Sequence, residues 1–229
     1  MRNKLLTRKY KIQGSVIEKL SEIRRLYNLS LEENQKEKEL KLKKLLLYAY
    51  NNTNYYHNIL KEYQVVENNK VSLTNYAYLP PLTKDLIRDN YNDLISKEAK
   101  SLGSYVNHSG GATGKPVQVL QSKEFSDWSI AVSIFYDELC GYKLGMKKAK
   151  LWGAQNDLFV GRKSLKVRAG QWLKNEIWLN AFIVDDNKYI EYLDRLKKFK
   201  PYMILAYADS IYELALFIER NNLREVYSP

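Results

Sequence analysis

The residues best suited to chemistry form one short segment, residues 109–116, with the sequence S-G-G-A-T-G-K-P. Glycines reach positive φ angles, and they let backbone N–H groups approach an anion closely. Successive N–H groups can then form a concave nest for phosphate oxygens. The hydroxyls of Ser109 and Thr113 add hydrogen-bond donors, and Lys115 adds a positive charge. The segment is therefore predicted to be a phosphate-binding loop.

Two common nucleotide-binding patterns do not fit this segment. A Walker A loop ending at Gly114 and Lys115 requires a glycine in place of Ser109 and a hydroxyl residue in place of Pro116. A dinucleotide-binding G-x-G-x-x-G pattern ending at Gly114 also fails at Ser109. The proline and the apolar residues after it are typical of a strand. A strand–loop–strand hairpin is therefore predicted, and a glycine-rich hairpin without a ligand is the alternative.

Residues 1–100 have mostly helical patterns. Ser15 is predicted to cap a helix that begins at Val16, because apolar residues recur there at spacings of three and four. Ser30 and Glu33 match a capping box, which predicts a second helix to about residue 51. Thr83 is predicted to cap a third helix over residues 84–95.

Residues 101–229 instead alternate between strand and helix patterns. Strands are predicted at residues 103–108, 116–121, 149–153 and 202–207, and helices over residues 124–140 and after the predicted cap Asp209. Such alternation indicates an α/β fold class, with a mostly helical N-terminal region (1–100) and an α/β part (101–229). Trp152 ends one strand, where α/β proteins place ligand crevices, so it could line a pocket; packing in the core is the alternative.

Composition adds broad limits to the function classes. The 229 residues carry a net charge of +11, which favours anionic partners, although an exposed lysine-rich surface is an ordinary explanation. We find no nucleic-acid-binding motif, and we predict no nucleic-acid partner. Because no run of about 18 apolar residues occurs, no membrane span is predicted and the cytoplasm is the expected compartment. One cysteine and two histidines are too few for a typical structural zinc site, so no metal site is predicted.

The octet resembles the phosphate loop of the adenylate-forming superfamily, usually written T-S-G-T-T-G-K-P. It differs at Ser109, Gly110 and Ala112, each time by a small residue. Other segments are similar to landmarks of the phenylacetate–coenzyme A ligase branch and of the CapK-type proteins from capsular polysaccharide gene clusters. These segments are residues 46–56, 79–84, 200–201 and 207–211.

This resemblance implies the first part of an adenylation domain and a two-step reaction. A small carboxylate would attack the α-phosphorus of MgATP to give an acyl-adenylate and pyrophosphate. A thiol, typically coenzyme A, or another acceptor would then take the acyl group. The implied cofactors are ATP and Mg²⁺, with coenzyme A as acceptor, and the implied process is capsular or exopolysaccharide biosynthesis. The implied nucleotide-binding residues are Ser109, Gly110, Gly111, Thr113, Gly114 and Lys115.

Other family motifs have no counterpart before Pro229. These are the Tyr-Gly-x-Thr-Glu motif, the ribose-binding aspartate and the C-terminal lysine that promotes adenylation. The expectation is therefore an N-terminal portion of a ligase without full activity alone, for which a separate C-terminal ligase fragment would be a partner. No catalytic residue is assigned. The alternative is a truncated, inactive protein that keeps the fold or an interaction role.

Overall fold

The computed structural model describes residues 2–13, 15–109, 116–153, 165–182 and 185–223. Tertiary contacts divide the chain into two compact units. The hairpin unit comprises Gly14–Val132, and the sheet unit comprises Met1–Gln13 together with Ser133–Pro229. The mixture of helices and strands confirms the α/β class. The predicted division at residue 100, which follows a change in pattern, stays a prediction.

The helices within the described residues are, in chain order, α1 (Arg2–Gln13), α2 (Val16–Tyr27), α3 (Leu31–Asn52), α4 (Asn54–Glu62), α5 (Leu73–Tyr76), α6 (Lys84–Asp89), α7 (Lys123–Leu139), α8 (Leu165–Lys174), α9 (Asp186–Phe199) and α10 (Ala208–Arg220). The strands are β1 (Val66–Glu67), β2 (Lys70–Val71), β3 (Tyr105–His108), β4 (Gln118–Gln121), β5 (Lys148–Leu151), β6 (Glu176–Leu179) and β7 (Met203–Ala206). No helix in the described part is long and apolar enough to cross a membrane.

The start of α3 confirms the predicted capping box. The Ser30 hydroxyl accepts the Glu33 N–H at 3.2 Å, and the Glu33 carboxylate accepts the Ser30 N–H at 2.9 Å. The Thr83 cap of α6 is also confirmed, since its hydroxyl accepts the Leu86 N–H. The predicted extension of α6 to residue 95 is wrong. The Asn90 side chain donates to the Leu86 carbonyl at 2.9 Å, and such local bonds compete with helix continuation.

Ser15 takes the predicted N-cap position before α2, but its side chain makes no capping bond. Its φ and ψ of −95° and 21° are not the extended conformation typical of a capping residue. Its N–H and its hydroxyl both donate to the Asp127 carboxylate on α7, at 3.0 and 3.3 Å. The predicted cap Asp209 is wrong. The helix predicted behind Asp209 begins earlier, with Tyr207 at the N-cap. Asp209 lies instead in the first turn, where its charge suits the helix dipole.

The hairpin unit has an apolar core between α3, α4 and the small β1–β2 sheet. Leu46, Leu60, Val65 and Val66 are buried there, and the side chains of Tyr56 and others pack around them. The antiparallel β1–β2 pair follows α4 directly and closes one side of this core. The long helix α3 is thus held by burial of its C-terminal half.

The sheet unit contains a parallel three-stranded sheet in the order β6-β5-β7. Parallel strands require crossover connections, which α8 and α9 supply in the described part of the chain. Residues of β5, β6 and the helices form the core. Its buried members are Ala149, Leu151, Leu179, Tyr192, Leu196 and Leu214.

Charged side chains cluster where β5 and β6 begin. The Lys148 ammonium contacts the Asp137 carboxylate and lies 3.7 Å from that of Glu176, while Lys150 lies 3.4 Å from Glu176. Burial raises the pKa of Tyr10 to about 12, and the charge of Glu176 acts in the same direction. Burial lowers the pKa of Lys150, whereas Glu176 opposes that change. This buried charge network lies at the amino ends of these strands.

Candidate functional site

The predicted strand–loop–strand arrangement is present in the hairpin unit. Strands β3 and β4 pair antiparallel, with Tyr105 opposite Gln121 and His108 opposite Gln118. On one face, the Tyr105 hydroxyl and the Asn107 amide both donate to the Gln121 side-chain oxygen, at 3.1 and 3.0 Å. These bonds hold the two strands in register next to the predicted phosphate loop.

Ser109 and Val117 close the mouth of the hairpin. The Ser109 N–H donates to the Val117 carbonyl at 2.8 Å, as expected for the next pair of the ladder. The reciprocal Val117 N–H donates to the Ser109 hydroxyl oxygen, also at 2.8 Å. Val117 is buried, so water competes little with this bond. The two ends of the predicted loop are therefore fixed by two short hydrogen bonds.

Ser109 is the one predicted phosphate-binding residue that lies within the described residues. Gly110, Gly111, Thr113, Gly114 and Lys115 lie outside them, and their contacts with phosphate stay predictions. His108, directly before the loop, is exposed, and its N–H donates to the Asn107 side chain at 2.8 Å. In the described parts of the chain, no group of three or more His, Cys, Asp or Glu residues could hold a metal ion.

An apolar groove of about 540 Å³ lies against β4 in the hairpin unit. The described residues that line it carry no formal charge at neutral pH. Its walls include the exposed large side chains Leu82, Leu102, Val119 and Phe125. Sequence reasoning missed this groove because its walls come from separate segments whose meeting has no local signal.

Three aromatic side chains form a cluster at the carboxyl edge of the parallel sheet. Trp152 follows β5, Tyr207 follows β7, and Phe182 lies just beyond β6. The Trp152 and Tyr207 rings stack with centroids 3.9 Å apart, and Phe182 meets Tyr207 edge-on at 6.1 Å. Each side chain is more than a third exposed, at 38%, 37% and 47% for Trp152, Tyr207 and Phe182. Ligands of α/β sheets commonly bind at this edge.

Backbone hydrogen bonds hold this aromatic cluster in place. The Trp152 N–H donates to the Leu179 carbonyl at 2.9 Å, and the Phe182 N–H donates to the Asn180 side chain at 2.8 Å. The Tyr192 hydroxyl both accepts the Asn180 N–H and donates to the Asn180 carbonyl, at 3.1 and 3.0 Å. Burial raises the pKa of Tyr192, so its hydroxyl keeps its proton for this role.

The predicted position of Trp152 at a strand end is confirmed, and its exposure argues against simple core packing. A ligand-binding role for it stays a prediction. Sequence reasoning did not join Trp152 to Phe182 and Tyr207. One signal in the sequence could have joined them. Each of the three aromatic residues follows a strand, and the carboxyl ends of parallel strands meet at one edge of the sheet.

Comparison with known proteins gives one relationship and no family assignment. No family model matches the chain. The chain is similar to Protein CapK from Staphylococcus aureus, with 27% identity over 182 residues. The match covers 80% of this chain and 40% of that protein, so the chain spans less than half the length of this relative. This similarity supports the predicted resemblance to CapK-type proteins.

Proposed function

We propose that the chain supplies the phosphate-binding part of an ATP-dependent, carboxylate-activating ligase that forms acyl-adenylates. The observation that carries this proposal is the octet of residues 109–116 between the paired strands β3 and β4. A short loop rich in glycine, hydroxyl and basic residues, with its ends fixed by a hairpin, has the donors that polyphosphate binding needs.

The assigned roles follow the chemistry of each residue. Gly110, Gly111 and Gly114 leave room for close approach of phosphate oxygens. Thr113 and Lys115 supply a hydroxyl donor and a positive charge. Mg²⁺ would arrive with the nucleotide, because it is commonly held by substrate phosphates with only one or two carboxylates. Such a loop accelerates adenylation by positioning ATP and stabilising the charge on pyrophosphate.

The aromatic cluster is the proposed binding surface for the nonpolar part of the carboxylate. Trp152, Tyr207 and Phe182 present ring faces and edges at the sheet edge where ligands commonly bind. Their rings are partly exposed, and the backbone N–H groups of Trp152 and Phe182 are held by Leu179 and Asn180. A planar or apolar group stacked on them would be oriented without large rearrangement.

The similarity to Protein CapK supports a role in capsular or exopolysaccharide biosynthesis as the setting for this reaction. It covers 40% of CapK, so we further propose that full activity requires the part of a CapK-like protein that the match does not include. Coenzyme A is the proposed acyl acceptor. The proposed compartment is the cytoplasm, where ATP and coenzyme A are available.

The reaction is testable by ATP–pyrophosphate exchange. The chain is mixed with a polypeptide that carries the unmatched part of S. aureus Protein CapK, and a panel of aromatic and aliphatic carboxylates is added. We expect exchange that depends on a carboxylate and on both polypeptides. Exchange by the CapK polypeptide alone at the same rate would contradict a contribution from this chain. The same rate of ATP–pyrophosphate exchange in a mixture made with the Lys115→Met variant would contradict the proposed phosphate loop.

A non-catalytic interaction role is the second candidate, and the apolar groove favours it. Exposed Leu82, Leu102, Val119 and Phe125 around a groove of about 540 Å³ are typical of a surface that another molecule covers. This role predicts a folded chain with no affinity for MgATP, which separates it from the ligase proposal.

A further inference from the structure

We propose that Ser109 is a positioning residue, whose hydroxyl oxygen holds the two ends of the phosphate loop together through the Val117 N–H. This inference rests on the proposed function for the role of the loop, although the contact itself is independent of any nucleotide. It adds a positioning role to the one that the family resemblance implies, where Ser109 is one of the side-chain donors.

The hydrogen bonds between Ser109 and Val117 differ from those of a regular antiparallel pair. In an antiparallel pair, two opposed residues exchange both N–H···O=C bonds. Ser109 and Val117 keep one such bond, from the Ser109 N–H to the Val117 carbonyl at 2.8 Å. The Val117 N–H instead donates to the Ser109 hydroxyl oxygen at 2.8 Å. The hydroxyl oxygen of Ser109 thus replaces the Ser109 carbonyl oxygen as the acceptor of this ladder bond, at the first of residues 109–116.

Burial shows which partner is anchored. Val117 is 3% exposed, whereas Ser109 and Pro116 are exposed. The first residue after the loop is therefore buried, and the Ser109 hydroxyl ties the other end of the loop to it. A buried N–H that loses its acceptor is costly, so the hydroxyl oxygen is held in this geometry.

A tie between the two ends of a chain segment reduces the entropy that remains to be lost when a ligand orders that segment. Preorganised donors bind more tightly because less ordering remains to be done in the complex. Loss of the tie between Ser109 and Val117 should therefore weaken polyphosphate binding.

Amide hydrogen exchange of the ligand-free protein tests the tie directly. The Val117 amide is compared in wild type, Ser109→Ala, Ser109→Thr and the control Ser72→Ala, which removes a similar hydroxyl–amide bond to Asn75 elsewhere in the same unit. We expect Ser109→Ala to raise the Val117 exchange rate by about tenfold, as for one lost hydrogen bond. Threonine, which keeps the hydroxyl, should restore protection, and Ser72→Ala should leave Val117 unchanged. The core amide of Leu60 reports global opening, and its rate measures how far each substitution lowers the stability of the hairpin unit.

An unchanged Val117 rate in Ser109→Ala would overturn the proposal. MgATP titration of the same proteins supplies the second readout. We expect affinity to fall about three- to tenfold in Ser109→Ala and to return in Ser109→Thr. Weaker MgATP binding with unchanged Val117 exchange would identify Ser109 as a direct phosphate donor and overturn the proposal. Wild-type protein that binds no MgATP would refute the proposed function, whereas the exchange rates would still decide whether Ser109 ties the loop.

Discussion

The indole ring of Trp152 stacks on the phenol ring of Tyr207, with ring centroids 3.9 Å apart and planes 20° apart. The two residues follow different strands of the parallel sheet, so the stack links the ends of β5 and β7. Aromatic pairs of this kind add stability beyond the burial of their area. The contact also presents a rigid, partly exposed aromatic surface at the sheet edge.

A double-mutant cycle on this stack should give a coupling energy of about 0.5–1.5 kcal/mol in the free energy of unfolding. The variants are Trp152→Leu, Tyr207→Leu and their combination, measured by urea denaturation. The matched control cycle pairs Trp152→Leu with Tyr189→Leu, whose ring packs on Phe217. We expect that control to be additive within about 0.5 kcal/mol. Additivity of the Trp152 and Tyr207 changes would show that the stack contributes nothing in solution.

Gly141 should not tolerate a side chain. It follows α7 with φ of +79°, and a Cβ atom there would lie 3.0 Å from the Tyr202 hydroxyl oxygen. Gly141→Ala is therefore expected to lower the free energy of unfolding by about 1–3 kcal/mol. Gly170→Ala is the control, because Gly170 lies within α8 and a Cβ there meets nothing within 4 Å. It should raise stability by about 0.5–1 kcal/mol through helix propensity. Equal effects of the two substitutions would contradict this account.

The buried charge network predicts a large effect of one lysine. Lys148→Met leaves the carboxylates of Asp137 and Glu176 without their shared cation, and the side chains of all three residues are nearly buried. We expect a loss of about 3–5 kcal/mol in the free energy of unfolding, which is typical of a broken buried pair. Lys188→Met removes an exposed ion pair with Glu191 and should lower the free energy of unfolding far less than Lys148→Met, because exposed ion pairs contribute little. A small effect at Lys148 would mean that its neighbours do not depend on its charge.

Asp127 should make the hairpin unit sensitive to acid. Burial acts to raise the pKa of Asp127, but hydrogen bonds from Ser15 and Lys123 outweigh it and hold the pKa below its ordinary value. A carboxyl with a depressed folded-state pKa stabilises the protein above its unfolded-state pKa, about 4, and this stability is lost as pH falls through the folded-state value.

Asp127→Asn should therefore be less stable than wild type at pH 7, and the difference should shrink on acidification below about pH 4. Thermal unfolding at several pH values measures this dependence. Asp89→Asn, at an exposed position, removes the same charge and should leave the acid limb unchanged. A difference between Asp127→Asn and wild type that is the same at pH 7 and at pH 3 would contradict the role of the Ser15 and Lys123 bonds.

Sequence patterns predict local features of this fold and miss long-range ones. The Ser30–Glu33 capping box and the β3–β4 hairpin depend on neighbours in the chain, and both are present. The bonds of Ser15 to the Asp127 carboxylate were not predicted, because Asp127 lies on a helix far away in the sequence. The groove beside β4 and the Trp152–Tyr207 stack also depend on residues far apart in sequence. The phosphate loop can be predicted from the sequence because its chemistry lies within eight consecutive residues, and its contacts with phosphate stay a prediction.

Titration of the purified chain with MgATP is the most direct measurement of the central claim. Wild-type protein, Lys115→Met and Lys84→Met are compared by isothermal titration calorimetry. Lys84→Met removes the same charge from an exposed position at the start of α6. We expect saturable binding by wild type and by Lys84→Met, and at least about tenfold weaker binding by Lys115→Met, because a charged donor is lost. Equal affinities of the two lysine variants, or no binding by wild type, would contradict a phosphate-binding role for residues 109–116.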